Sequence, residues 1–131
     1  MIQRFEAGAR MSRVVTHNGV AYLAGLTADE LSQDVAGQTR QVLAKAEAKL
    51  AIAGTDKSQL LSATIWLCDI ADFDAMNAVW EEWIDSANPP ARATAECRLA
   101  DDDILVEIVF TAACSERFIG LPAFQLPAMD F

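Results

Sequence analysis

Between Ser12 and Ala24 two short apolar runs, carrying Val14–Val15 and Val20–Ala24, flank the tripeptide His17-Asn18-Gly19. Asn-Gly between strand-like runs is a strong tight-turn signal, so the segment predicts a β-hairpin. Downstream the period changes. Val35, Thr39, Val42, Leu43, Ala46, Leu50 and Ala53 recur at helical spacing, with Asp34 placed to cap the start and Gly54 to stop the run. That spacing predicts one amphipathic helix of about five turns.

The next run, "QLLSATIWLCDI", is apolar without clear alternation and predicts a strand buried on both faces. From Ala71 to Ile84 the helical period returns, with Phe73, Met76, Val79, Trp80 and Trp83 on one stripe and Asp72, Asp74, Glu81 and Glu82 off it. "ANPP" ends that helix. Two further strands, Arg92 to Leu99 and Ile104 to Ala113, are joined by "ADDD" and predict a second hairpin.

The order hairpin, helix, strand, helix, hairpin implies an α+β two-layer domain: one mixed β-sheet with two helices packed on one face. The second sheet face is left bare, and a closed ring of identical subunits would cover it. Residues 1–113 form this domain. The tail from 114 to 131, with two prolines and three phenylalanines, is expected to pack on a neighbouring subunit or to stay disordered.

Composition agrees with an oligomer. Hydrophobic residues make up 53% of the 131 positions, against about 45–50% in an average soluble domain. No apolar run reaches the length of a membrane span, and the N-terminus does not resemble a signal peptide, so a cytoplasmic location without membrane partners is expected. The net charge of −9 would repel a phosphate backbone, which argues against nucleic acid. Cys68, Cys97 and Cys114, odd in number and set in apolar segments, suit reduced, packed thiols. With one histidine and no CxxC pair, a metal site is not expected.

Charge inside the last strands is the main chemical signal. Glu107 interrupts the uncharged run "ILVEIVFTAA", and a carboxylate there needs a partner. Antiparallel pairing of the last two strands would bring Arg92 beside it, within one subunit or across an interface. Such a pair reads equally well as a structural ion pair or as a pocket for a small carboxylic acid. In the second case the arginine fork grips the carboxylate and the glutamate moves protons to and from a water. His17 reads as an exposed turn residue. Cys97 lacks a nearby base, and the three tryptophans read as core or interface filling.

Three segments, "YLAGL" at 22–26, "PARATAECRL" at 90–99 and "VEI" at 106–108, resemble the Rid family of reactive intermediate/imine deaminases, also called the YjgF/YER057c/UK114 family. The likeness extends over nearly the whole chain up to Ala113. It implies a chorismate-mutase-like subunit in a homotrimer with three pockets at the subunit interfaces. It also implies hydrolysis of imines and enamines of the 2-aminoacrylate or 2-iminobutyrate type to 2-keto acids and ammonia, with no cofactor.

By that resemblance Arg92 grips the substrate carboxylate and Glu107 activates the attacking water. Thr94 stands where many members carry a cysteine, and its backbone helps hold substrate and water; Gly25, Leu26 and Met11 line the pocket. Leu26 replaces a usual glutamine, Ala24 a serine, and Met11 lies near the place of a tyrosine. These changes imply a more apolar wall and a shifted substrate range. A non-catalytic protein that binds a small carboxylate or a partner in the same clefts is the alternative. RNA cleavage, attached to the family by name, fits poorly with the acidic charge and the lone His17.

Overall fold

A computed structural model describes residues 1–115. Its six strands are β1 (Gln3–Ala7), β2 (Ser12–His17), β3 (Val20–Leu23), β4 (Leu60–Leu67), β5 (Ala91–Glu96) and β6 (Val106–Ala113), and its two helices are α1 (Val35–Ile52) and α2 (Phe73–Trp83). The strands form one mixed sheet in the order β1-β2-β3-β6-β4-β5, which is the two-layer α+β architecture expected.

The first hairpin forms as expected between β2 and β3, with His17 opposite Val20. Asn18 and Gly19 both take positive φ, 50° and 78°, the combination that a two-residue type I′ turn requires. Helix α1 also starts and stops where expected. The Asp34 carboxylate accepts from the Gly37 N–H at 2.9 Å, and Gly54, at φ 75°, closes the C-terminus. Val35, Val42, Leu43, Ala46 and Leu50 are buried beneath the sheet with Ile65, Leu67, Ile108 and Phe110, each large side chain contributing roughly 1.5–3 kcal/mol.

Four expectations are corrected. Residues 3–7 form an additional edge strand, β1, antiparallel to β2. Strand β4 is buried on one face only: Ala63, Ile65 and Leu67 are in the core, while Ser62, Thr64 and Trp66 are half-buried on the opposite face. The second helix begins at Phe73, after a 3-10 turn at Ile70–Asp72.

The fourth correction concerns topology. Strands β5 and β6 do not pair with each other. They flank β4 on either side, β5 parallel and β6 antiparallel. Helix α2 is thus the crossover of a β4-α2-β5 unit, and the acidic loop at 101–103 passes the end of β4 instead of turning a hairpin. Residues 116–131 of the tail lie outside the described residues.

Candidate functional site

The β4–β5 register pairs Ala63 with Arg92 and Ile65 with Thr94. Paired residues share a face, so Arg92 and Thr94 lie on the helix side of the sheet, at its free edge. The Arg92 Nη1 donates to Asn77 Oδ1 at 2.7 Å. Its guanidinium carbon lies 5.3 Å from the Trp80 ring centroid and 5.9 Å from that of Phe73. Phe73, Asn77 and Trp80 occupy one face of α2 at i, i+4 and i+7, so a single helix face seats the arginine. Burial pulls the guanidinium below its ordinary pKa, with Glu81 acting in the opposite direction; an arginine remains a cation regardless. Arg92 as a whole stays exposed.

Glu107 belongs to the other face. It pairs with Trp66, between buried Val106 and Ile108. The expected pair of Arg92 with Glu107 within one chain is therefore absent among the described residues, because the strands that carry them are not neighbours and the side chains leave opposite faces. No hydrogen bond or ion pair among the described residues reaches the Glu107 carboxylate, and burial raises its pKa above the ordinary carboxylate value.

The carboxylate lies over Gly25, where an added Cβ would sit 2.2 Å from Glu107 Oε2. Gly25 is therefore a close-approach glycine: a side chain there would occupy the space of the carboxylate. Ala24 continues the same strand end, its N–H donating to the Arg13 carbonyl at 3.0 Å. Met11 lies exposed just before β2.

Leu26 does not form an apolar wall. Its side chain is core, 4% exposed, and its backbone bonds to Ile108 in both directions, at 2.9 and 3.1 Å. The Thr94 hydroxyl is buried without a hydrogen-bond partner among the described residues, which leaves it able to donate or accept toward an incoming group. Cys97 is corrected as well: it is exposed, while Cys68 and Cys114 are partly buried.

Asn77, Phe73 and Trp80 were not singled out as site residues from the sequence. The available signal was a polar asparagine inside the apolar stripe of α2. What it could not indicate was that β5 returns beside that helix.

A family model described as Endoribonuclease L-PSP matches residues 1–114. A RutC family protein of Haemophilus ducreyi is 44% identical over 117 residues, which is 89% of this chain and all of that protein. The chain belongs to the YjgF/Rid family. Among solved structures, a YjgF family protein of Neisseria meningitidis shares its fold with a TM-score of 0.86 at 38% identity, covering 89% of this chain and 98% of the other. A Rid family protein of Yersinia pestis, described as of unknown function, gives a TM-score of 0.76 at 30% identity over 82% of this chain and 90% of its own. In this Rid protein, Arg92 with Thr94 and Glu107 with Gly25 are two clusters on opposite faces of one sheet. No helix among the described residues is long and apolar enough to cross a membrane.

Proposed function

We propose that this Rid protein hydrolyses imines and enamines of 2-amino acids to 2-keto acids and ammonia, in pockets shared between identical subunits of a homotrimer. The observation that carries the reading is the separation of two complementary half-sites. One face presents an arginine fork held by Asn77, Trp80 and Phe73; the other presents a glutamate with no partner among the described residues. A second copy laid against the first sets the arginine of one beside the glutamate of the other, and a closed ring of three makes three such pockets.

Within such a pocket the substrate carboxylate docks on Arg92 through charge-assisted hydrogen bonds. A protonated imine carbon is electrophilic without further activation, so positioning a water is the main task. Glu107 takes a proton from that water as the C–O bond forms. It returns the proton to nitrogen, and as the C–N bond of the carbinolamine breaks and ammonia leaves, the hydroxyl gives its proton back to the Glu107 carboxylate and becomes the keto carbonyl. Burial raises the Glu107 pKa above the ordinary carboxylate value, which makes the carboxylate a stronger proton acceptor than an exposed one. The Thr94 hydroxyl, unpartnered and beside the clamp, supplies a further contact to substrate.

The test is competition with semicarbazide for imines released by an L-amino acid oxidase from a series of short and aromatic amino acids. The wild-type protein is expected to suppress semicarbazone formation for at least one of them, and Arg92→Ala to lose that suppression by tenfold or more. Absence of suppression across the series, from a verified trimer, would reject the deaminase and leave a protein that binds carboxylates in the same clefts. The family description as an endoribonuclease does not displace this reading, since the net charge of −9 disfavours a polyanionic substrate.

A further inference from the structure

The β4–β5 topology brings together two cysteines that are 29 positions apart in sequence. Leu67 pairs with Glu96 in the parallel ladder, and the Cys97 N–H donates to the Leu67 carbonyl at 2.9 Å. That bond closes the last pair of the ladder, and Cys68 and Cys97 are the next residues along the two neighbouring strands. Cys68 is itself fixed from the other side, its N–H donating to the Leu105 carbonyl at 3.0 Å. Adjacent strands stand about 4.8 Å apart, inside the Cα separation of roughly 4.4–6.8 Å that a disulfide spans.

Both thiols line one cleft of about 380 Å³. Cys97 is exposed and Cys68 partly buried, an accessible thiol with a more sheltered one. Cys114 follows the far end of β6, nine residues beyond Leu105, or about 30 Å along the strand. It cannot serve as a third partner.

We propose that Cys68 and Cys97 form a reversible thiol–disulfide site that responds to peroxide. The Cys97 thiolate attacks one peroxide oxygen, so that an S–O bond forms, the O–O bond breaks and the departing hydroxide takes up a proton. The resulting sulfenic acid is attacked by the Cys68 thiolate; an S–S bond forms, the S–O bond breaks and a second water leaves. Two thiols and one peroxide give one disulfide and two waters. The bond ties the C-terminal end of β5 to β4. Strand β5 is the last strand of the sheet among the described residues, so oxidation clamps the strand that carries Arg92 and Thr94.

Peptide mapping of the full-length protein tests the site directly, and does so independently of any deaminase activity. Cleavage after lysine and arginine places Cys68 in residues 58–92, Cys97 in 93–98 and Cys114 in 99–117. After treatment with a small excess of hydrogen peroxide, peptides 58–92 and 93–98 are expected as one linked species, separated by dithiothreitol. The intact chain is expected to lose about two mass units, as two S–H hydrogens are removed. Cys97→Ser and Cys68→Ser should each abolish the link, and Cys114→Ser should leave it. A link through 99–117, a bond between two chains, or oxidation of Cys97 to sulfinic acid with Cys68 still reduced would each overturn the proposal.

Discussion

At the scale of single residues, Gly25 is the position where the smallest change has the clearest consequence. A methyl group there meets the carboxylate end of Glu107 at 2.2 Å, and that end is a flexible side chain, so the backbone has no need to move. Gly25→Ala is therefore expected to lower kcat/KM for imine hydrolysis by at least about tenfold while the melting temperature shifts little, because a displaced catalytic group costs rate more than stability. Asn77 acts through Arg92 and should show a different pattern. Loss of a hydrogen bond to a charged group costs about 1.5–3 kcal/mol, and here it loosens the grip on a carboxylate present in ground and transition states alike. Asn77→Ala should raise KM by about tenfold or more with kcat nearly unchanged; steady-state kinetics on one imine separates the two variants. Arg92 and Glu107 were legible in the sequence as charges inside strands, and the family resemblance supplied their roles. Asn77 was not, since its partner lies 15 residues away on an element whose placement depends on the sheet topology.

Among the elements, the local signals succeeded where they were chemical and self-contained. The Asn18-Gly19 turn, the Asp34 cap and the Gly54 stop are each decided within a few residues, and each is found where the sequence puts it. The pairing of β5 failed for the opposite reason. An acidic loop between two strand-like runs looks the same whether the strands pair with each other or with a third strand between them; only the preceding strand-helix-strand order pointed to a parallel crossover. Gln38 is a second feature hidden from pattern reading, a polar residue fully buried on α1. Its side-chain amide donates to the carbonyls of Leu31, Gln33 and Asp103, and its oxygen accepts from the Leu105 N–H at 2.9 Å. It thereby fixes the approach to α1 and, through Leu105, the entry to β6 two residues before Glu107. Gln38→Leu keeps the volume and strands those backbone groups, so unfolding in urea should show a loss of about 2–4 kcal/mol.

For the whole molecule, the decisive feature is that one chain carries Arg92 and Glu107 on opposite faces of its sheet. A site within a single chain and a site shared between chains make different demands on mixtures of defective subunits. Arg92→Ala and Glu107→Ala should each be inactive as homotrimers. If every pocket takes its arginine from one subunit and its glutamate from the next, any mixed trimer regenerates one intact pocket of its three. Random assembly from equal amounts makes three-quarters of the trimers mixed, so activity should recover to about a quarter of wild type. Co-refolding the two variants, isolating trimers and assaying imine hydrolysis reads this directly, with separately refolded variants combined under non-exchanging conditions as the control. Activity that stays at the level of the separate variants would place both groups in one chain's pocket and remove the basis for a shared site. Recovery near a quarter would assign the work of the bare sheet face to assembly, since the apolar residues that exceed the needs of a single core would then be the ones that bring Arg92 of one subunit to Glu107 of another.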